Sequence, residues 1–425
     1  MVFIYRQEIL KDISLFTSQS KTKFYDELFA NLDLSGVAEH NSKTGRTSYS
    51  NHAMICAFIV MKCEGFSQIS DLHDYLSNNL IIAHYCGFDI FCKLPSYSKF
   101  TRFIRNFDND VLQSIMQSQV MKAAGLSLID SSFIALDATP VKANVSNNNI
   151  KSFKKDKFSK NFPPKADKDC RLGVQTASNQ HGEKNYEFYW GYKNHILVDC
   201  ISGLPICELT TGANVSDSTV TVEILKRANS FIPLAECSFL ADKAYDVKAI
   251  YNTVRNTYGG DCFIALNKRN TKNPKKLPSG NIICEAGLAM NKDGKLSDNG
   301  RTRQKYSCPF KRSKSGCCPC NHRLWNNGKK NRGCTKYVTI PDDYRLSIDR
   351  NSIAFKSVYA LRTEAERYNS RFKQAGCERV FVRNGNSVKN LNTIAHISLL
   401  SIAIATVITK KDISYRSVKS LKRLA

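Results

Sequence analysis

Apolar residues recur every three or four positions in the first part of the chain, and strand-like alternation is scarce there. The spacing is clearest in segments 53–61 and 72–82, where it places apolar side chains on one helical face. Another amphipathic segment begins after Pro95. We therefore predict that residues 1–125 form a region made mostly of helices.

After residue 125 the pattern changes to short apolar runs of the length expected for strands. Strands are predicted at 134–137, 192–199, 204–211, 239–242 and 262–266. Helices are predicted at 219–229 and 247–258, and the turn at 201–203 makes the second and third strands a hairpin. Three strands followed by alternating helices and strands predict an α/β fold with helices packed on a mixed sheet.

The segment 391–409 is a largely apolar run of 19 residues, long enough to cross a membrane. It contains several polar residues, among them Asn392, His396 and Ser401. The sequence has no second run of this kind. We therefore predict a buried helix of the main core and no membrane span.

The net charge of +25 is concentrated in three segments. Segment 151–171 has an excess of +5, segment 268–340 an excess of +15 and segment 410–425 an excess of +5, which leaves the rest neutral. Dense positive charge repels itself without a polyanion, and phosphate contacts dominate affinity for nucleic acids. Solubilising loop charge is the alternative, but the distribution favours a neutral body with basic attachments that bind nucleic acid.

These patterns divide the chain into a helical N-terminal region at 1–125, an α/β domain at 126–409 and a basic tail at 410–425. A basic, cysteine-rich insertion at 269–340 has little periodicity and interrupts the α/β domain. In the N-terminal region, Lys99 and Arg102 belong to a basic amphipathic helix. That helix suits contact with DNA, and an ordinary surface helix is an equally open interpretation.

Ten of the 16 cysteines are scattered singly, and residues 1–11 lack the apolar run of a secretory leader. This usage is typical of reduced thiols in a cytoplasmic protein. In the insertion, Cys317 and Cys320 have the C-x2-C spacing of zinc knuckles, and Cys308 and Cys334 could complete a four-thiolate zinc site. Free thiols are the alternative, because a second C-x2-C pair is missing.

Tyr359, Arg362, Glu366 and Lys373 are spaced as Y-x2-R-x3-E-x6-K in a segment that reads as helix. At about 100° per residue their side chains share a stripe about 60° wide. One acid, two cations and a phenol on one face suit a phosphate site. A solvated charged face is the alternative.

Two predicted strands end in aspartate, at Asp137 and Asp242. With Glu366 they supply three carboxylates from three elements. Mg²⁺ prefers oxygen ligands, and two such ions can hold the attacking and leaving oxygens of a displacement at phosphorus. For either aspartate by itself, an ordinary turn residue is the alternative.

Other acids fit this pattern less well. Asp130 precedes a turn, whereas the apolar strand leads directly into Asp137. Glu364 lies about 140° from Tyr359 on the helical wheel, far from the stripe that contains Glu366.

The chain resembles the DDE transposases of bacterial insertion sequences, in the broad insertion-sequence-four group. The resemblance rests on ALDATPVKAN, WGYKNHILVDCISGLPICELTTGANVSDS, LADKAYD and the complete tyrosine-to-lysine signature, and spans roughly residues 130–375. It implies an RNase H-like catalytic fold with an insertion before the last acid. Ala244 departs from the glycine that such proteins usually have before the tyrosine of the DKAYD motif.

The resemblance implies that Asp137, Asp242 and Glu366 bind Mg²⁺ or Mn²⁺. It implies that Tyr359, Arg362 and Lys373 contact DNA phosphate near the cut end.

The implied activity is cleavage at the terminal inverted repeats of a transposon and transfer of the freed strand to target DNA. Because two DNA ends must be joined, a homodimer on DNA is implied. The resemblance also implies a bacterial cytoplasmic protein that associates with the nucleoid. An RNase H-like nuclease that does not transfer strands and a non-catalytic DNA-binding protein are the alternatives.

Overall fold

A computed structural model describes residues 20–41, 48–145, 158, 160, 163–178, 184–267, 277, 281–298, 301–312, 333–339 and 344–409. The predicted basic tail at 410–425 lies outside these residues. The chain forms two compact units, one of residues 1–264 and 353–425 and the other of residues 265–352.

The first part of the larger unit is helical. Its helices are α1 Ser20–Ala30, α2 Asn51–Cys63, α3 Ile69–Asn78, α4 Leu80–Tyr85, α5 Tyr97–Asn106 and α6 Asn109–Gly125. At the start of α2 the Ser50 side chain accepts a hydrogen bond from the Ala53 N–H, which satisfies a donor that the helix leaves free. Helix α5 buries Phe100 and Ile104, while Lys99 and Arg102 on its other face are exposed.

A mixed sheet forms the centre of the same unit. Its strands are β1 Phe133–Lys142, β2 Arg171–Ser178, β3 Lys184–Asp199, β4 Pro205–Gly212, β5 Ser238–Ala241 and β6 Asp261–Ile264. The long strand β3 pairs antiparallel with β1 on one side and with β2 and β4 on the other. Strands β1, β5 and β6 are parallel neighbours. The predicted hairpin is confirmed as β3–β4.

The prediction that the first strand ends at Asp137 is wrong, because β1 continues to Lys142. Pro140 lacks an N–H donor, which disfavours proline inside a sheet. Only residues 133–135 of β1 pair with β5, so β1 is unpaired on that side at Pro140 and tolerates the missing donor. Asp137 is therefore an interior residue of a strand.

Strand β2 was not predicted from the sequence. The strand predicted at 192–199 begins eight residues earlier in the structure, at Lys184. The first half of β3 carries polar and charged residues such as Asn185 and Glu187, which hide its strand character. This half pairs with β2, and the hairpin exposes Val174 and Phe188. Edge strands of this kind are defined by their partner more than by their own apolar pattern.

Helices cover both faces of the sheet. The later helices are α7 Asp217–Asn229, α8 Lys248–Asn252 with a π-helical turn Thr253–Thr257, α9 Tyr344–Ser347 in the smaller unit, α10 Ile353–Ala360, α11 Thr363–Phe372 and α12 Gly385–Ile408. Successive strand residues point to opposite faces. Accordingly Asn194 Oδ1 lies 3.1 Å from Nε2 of His396 on α12, while His195 Nδ1 lies 3.7 Å from Asp217 Oδ1 on α7.

Helix α12 is the central helix of the larger unit. It contacts the N-terminal helices α2, α5 and α6 as well as β4. It is the one helix in the described part of the chain that is long and apolar enough to cross a membrane, and 89% of its apolar window is buried in the protein. This burial agrees with the predicted core helix at 391–409.

A buried carboxylate, Glu208 on β4, joins the sheet to α6 and α12. Its oxygens accept hydrogen bonds from Thr393 Oγ1 at 2.6 Å, Asn194 Nδ2 at 2.7 Å, Thr210 Oγ1 at 3.2 Å and Gln113 Nε2. Burial raises the pKa of Glu208, and the four hydrogen bonds oppose that shift. All four donors are neutral side chains, so hydrogen bonds and not an opposite charge stabilise the buried carboxylate.

The smaller unit contains a three-stranded antiparallel sheet. Its strands are β7 Asn291–Asp298, β8 Arg301–Ser307 and β9 Thr335–Thr339. Cys284, Cys308 and Cys334 lie in its hydrophobic cluster together with Ile282, Met290 and Tyr306. The Cys308 N–H donates to the Cys334 carbonyl at 3.0 Å. Cys317 and Cys320 of the predicted zinc site lie outside the described residues.

Candidate active site

Asp137 and Asp242 are brought together by the register of two parallel strands. Ala135 of β1 lies opposite Leu240 of β5. Each aspartate lies two residues beyond that pair, on the same side of its backbone as the paired residue. The sheet backbone therefore sets the separation of the two carboxylates.

Asp242 follows β5 and caps a short 3₁₀ helix, Lys243–Tyr245. Its Oδ1 accepts a hydrogen bond from the Ala244 N–H at 2.7 Å. Ala244 does not belong to the residues with positive φ, so this turn needs no glycine. The departure at Ala244 is thus compatible with the local backbone.

Glu366 reaches the site from α11. Its Oε1 accepts a hydrogen bond from Arg362 Nη2 at 2.7 Å, four residues earlier. The Arg362 guanidinium also lies 5.6 Å from the ring centre of Tyr359. The guanidinium therefore contacts both an acid and an aromatic ring of the signature.

The signature residues do not share one regular helix, contrary to the prediction. Helix α10 ends at Ala360 and α11 begins at Thr363. The Arg362 N–H donates to the Tyr359 carbonyl at 3.1 Å, a bond between residues three apart. Such bonds tighten the turn and bring residues three apart into line. This tightening places Arg362 over Tyr359 although the helix is interrupted.

Tyr359 is anchored by an aromatic stack. Its ring lies 5.6 Å from that of Phe355, and Phe355 lies 5.6 Å from Phe263 on β6. Lys373 is different: it begins a π-helical turn after α11, and among the described residues it has no hydrogen bond or ion pair to the other three signature residues. The structure thus joins three of the four signature residues in direct contact.

The three carboxylates influence one another electrostatically. The pKa of Asp137 is raised to about 6, chiefly because burial disfavours the charged form, and the negative charges of Asp242 and Glu366 add to the rise. The Ala138 N–H and the Arg362 guanidinium act in the opposite direction. Burial is therefore the main cause of the raised pKa of Asp137, and the two neighbouring acids reinforce it.

Asn369 is a site residue that the sequence reasoning missed. Its Nδ2 donates to Asp137 Oδ2 at 2.9 Å, and it lies three residues after Glu366 on α11. A polar residue one helical turn from a candidate acid, on the same face, was the available signal. A neutral amide is not diagnostic of a metal site in the sequence, and its role depends on the contact with Asp137.

Tyr245 places a phenol beside the same acids. Its side chain is buried and its hydroxyl has no hydrogen-bond partner in the described structure. Its pKa is raised well above the usual value, chiefly by burial and then by Asp217, Asp137 and Asp242. This raised pKa keeps the phenol neutral beside the carboxylates.

The remaining acids have structural partners. Asp199 Oδ2 accepts from the N–H and the hydroxyl of Ser202, as expected for a turn residue. Asp130 Oδ1 accepts from the Ser132 N–H at 2.9 Å. Glu364 is buried and forms an ion pair with Arg367.

The donor chemistry of the site fits a divalent cation. Within the ranges that the structure describes, no three Asp, Glu, His or Cys side chains already surround one point. Three carboxylates within electrostatic reach are nevertheless the oxygen donors that a hard cation prefers. Asn369 Oδ1 is a buried acceptor without a partner at the same place. Both features favour a cation at this site.

Two family models match the sequence. The model described as Transposase DDE domain matches residues 129–401, and the model described as Transposase domain (DUF772) matches residues 14–106. The first match spans the whole sheet and the site described above. No curated protein matches the chain.

Solved structures give weaker similarities. A synaptic complex of piggyBac transposase with hairpin DNA aligns over 98% of this chain and 79% of that chain, with 11% identity and a TM-score of 0.40. A paired-end complex of Mos1 transposase with the left transposon end aligns over 52% of this chain and 61% of that chain, with 10% identity and a TM-score of 0.17.

Proposed function

Since the chain belongs to the Transposase DDE domain family, we propose that Asp137, Asp242 and Glu366 are the acids with which it binds divalent metal. The protein is a DDE transposase, a metal-dependent enzyme that cleaves DNA and transfers strands in DNA transposition. The observation that supports the assignment of residues is the register of β1 and β5, which places Asp137 and Asp242 side by side next to the helix that carries Glu366. The mixed sheet fits an RNase H-like catalytic domain.

A bound Mg²⁺ or Mn²⁺ supplies Lewis-acid stabilisation of charge at the scissile phosphate. Asp137 and Asp242 hold their positions through the β1–β5 register, and Glu366 comes from the adjacent helix. Arg362 is held between Glu366 and Tyr359, so its charge is fixed at the edge of the site.

We assign the chain to the insertion-sequence-four group on its signature, in which Tyr359, Arg362 and Lys373 contact DNA phosphate. Arg362 supports this role because its side chain is partly exposed beside Glu366 and Tyr359, and a guanidinium can bind phosphate oxygens through two parallel N–H donors. Lys373 has no ion pair within the described residues and is free to bind phosphate as a point charge.

The experiment is a cleavage and strand-transfer assay on duplex DNA that carries the inverted repeats flanking the reading frame. We expect Asp137→Asn, Asp242→Asn and Glu366→Gln each to lose both products. Asp130→Asn is the matched control, since Asp130 caps a turn at the start of the same strand. Full cleavage by all three site variants would overturn the assignment.

We further propose that the N-terminal helical region contacts DNA through α5. Lys99, Arg102 and Arg105 are exposed there and form no ion pair among the described residues. Replacing all three by alanine is expected to lower the salt dependence of DNA binding by up to about 0.9 logarithmic units per lost phosphate contact. An unchanged slope would assign α5 to an ordinary surface.

The joining of two transposon ends further suggests a homodimer on DNA, acting in the bacterial cytoplasm on nucleoid DNA. Analytical ultracentrifugation with end DNA tests the dimer: one protein chain per two ends would exclude it.

We also propose a structural zinc in the insertion, held by Cys308, Cys317, Cys320 and Cys334. The shared cluster and backbone hydrogen bond of Cys308 and Cys334 support it. Elemental analysis of purified protein should find one zinc per chain, lost in the double variant Cys308→Ser, Cys334→Ser and retained in Cys92→Ser, whose thiol is exposed. A zinc-free wild-type protein would contradict the proposal.

A further inference from the structure

Asn369 has a side chain that is bonded at one end only. It is 7% exposed, and its Nδ2 donates to Asp137 Oδ2 at 2.9 Å. Its Oδ1 is buried without a hydrogen-bond partner in the described structure. Buried amide oxygens are normally paired, so an unpaired one beside a group of acids calls for a ligand.

The orientation of this amide follows from its partner. An ionised carboxylate can only accept hydrogen bonds, so the NH₂ group of Asn369 must face Asp137. The planar amide then directs Oδ1 to the other side. Because Asn369 lies one turn after Glu366, both side chains extend from the same face of α11.

Asp137 retains acceptor capacity beyond this bond. A carboxylate offers roughly four lone-pair sites. Two are occupied, by the Ala138 N–H and by Asn369 Nδ2. The bond from Asn369 therefore fixes the rotation of the carboxylate without using up its oxygens.

We propose that Asn369 is a positioning residue of the metal site: its amide nitrogen orients Asp137, and its Oδ1 would serve as an additional oxygen acceptor when the site holds a cation. The inference rests on the proposed metal-binding role of Asp137, Asp242 and Glu366. It gives the unpaired Oδ1 a role through the bond of the same amide to Asp137.

A second buried asparagine provides a matched control. Asn392 on α12 is fully buried, donates from Nδ2 to Thr210 Oγ1 at 3.0 Å, and also has an Oδ1 without a partner. Thr210 in turn donates to Glu208, so Asn392 belongs to the hydrogen-bond network of Glu208 and has no printed bond to Asp137, Asp242 or Glu366. Changes at Asn392 therefore reproduce the loss of a buried, half-bonded amide away from the three proposed metal ligands.

The test is a titration of the full-length, metal-free protein with Mn²⁺ alone, followed by calorimetry and by the shift of the thermal midpoint. We expect Asn369→Ala to weaken Mn²⁺ binding by about tenfold or more, as loss of a group that orients a metal ligand does. Asn392→Ala should bind Mn²⁺ as the wild type does. Binding by Asn369→Ala within twofold of Asn392→Ala would overturn the inference.

Asn369→Asp gives a second readout that holds even if the alanine variant does not fold. It puts a carboxylate beside Asp137, so like-charge repulsion should lower the thermal midpoint without metal, and Mn²⁺ should restore it by more than it stabilises the wild type. Asn392→Asp should be destabilised and not restored. Equal behaviour of the two aspartate variants would overturn the inference.

Failure of the underlying assignment looks different. If Asp137→Asn also binds Mn²⁺ as the wild type does, the three acids are not the metal site. If Asp137→Asn loses Mn²⁺ binding while the Asn369 variants keep it, the proposed role of Asn369 is wrong and the assignment of the three acids stands.

Discussion

Asp137 and Glu208 lie on the same face of the mixed sheet, on strands that flank β3, but their surroundings differ. Asp137 on β1 lies opposite Ile196 on β3, and Ile196 lies opposite Glu208 on β4, so all three side chains point to the same face. Glu208 accepts four hydrogen bonds from neutral side chains. Asp137 accepts two and shares its space with Asp242 and Glu366.

The difference is the one expected between a structural carboxylate and the proposed cation site. A buried charge needs compensation by hydrogen bonds or by an opposite charge. At Glu208 the protein supplies hydrogen bonds from its own side chains. Asp137 has two donors and the like charges of Asp242 and Glu366 nearby, an arrangement that the proposed cation would compensate.

The sharpest way to break this comparison is Asp137→Asn. We expect DNA cleavage to fall by about a thousandfold or more, because stabilisation by metal contributes several kcal/mol. Folding stability without metal should stay the same or rise, since a source of repulsion is removed. Cleavage assays and thermal melts measure the two effects, and a large loss of stability would equate Asp137 with Glu208.

Glu208→Ala should give the converse result. It leaves one N–H of Gln113 and one N–H of Asn194 unpaired in the core, which costs about 3 kcal/mol of unfolding free energy. Mn²⁺ affinity should not change. Urea denaturation and Mn²⁺ titration test this, and a loss of metal binding with normal stability would contradict the structural role.

The pH dependence of the metal-free protein sharpens the comparison further. The folded pKa of Asp137, about 6, lies above its unfolded value of about 3.9. Asp137 therefore contributes stability below about pH 4 that is lost as the pH rises through about 6. Relative to the wild type, Asp137→Asn should gain up to about 2 kcal/mol between pH 4 and 7. A difference that does not vary with pH would contradict the raised pKa.

The smallest expected effect concerns Thr393, one of the donors to Glu208. Thr393→Val removes this hydrogen bond and also the oxygen that accepts from Asn109 Nδ2 and Gln113 Nε2, and it should cost about 1.5 kcal/mol of stability, with cleavage unchanged. Thr406→Val is the control, because Thr406 is buried on the same helix and bonds only the Ile402 carbonyl. Equal losses in both variants would show that Glu208 does not depend on this donor.

Sequence patterns predicted the elements that have strong periodicity of their own. The β3–β4 hairpin and the buried helix that contains His396 follow from apolar runs that no partner needs to complete. The proximity of Asp137 and Asp242 follows from parallel strands. The site roles of these acids stay predictions.

Features that depend on a distant partner escaped prediction. Strand β2 and the first half of β3 are stabilised by each other, so neither has the apolar pattern of a strand. The interruption at Arg362 arises from hydrogen bonds between residues three apart, which a regular helical wheel does not represent. The proposed role of Asn369 depends on its hydrogen bond to Asp137, a residue 232 positions away in the chain.

The register between Ala135 and Leu240 has a genetic consequence. The backbone positions of the acid pair are encoded in the number of residues between each strand pair and its aspartate. Deleting the codon of Leu136, between Ala135 and Asp137, would turn the carboxylate to the opposite face of the sheet. This deletion should therefore abolish transposition although it removes none of the proposed site residues.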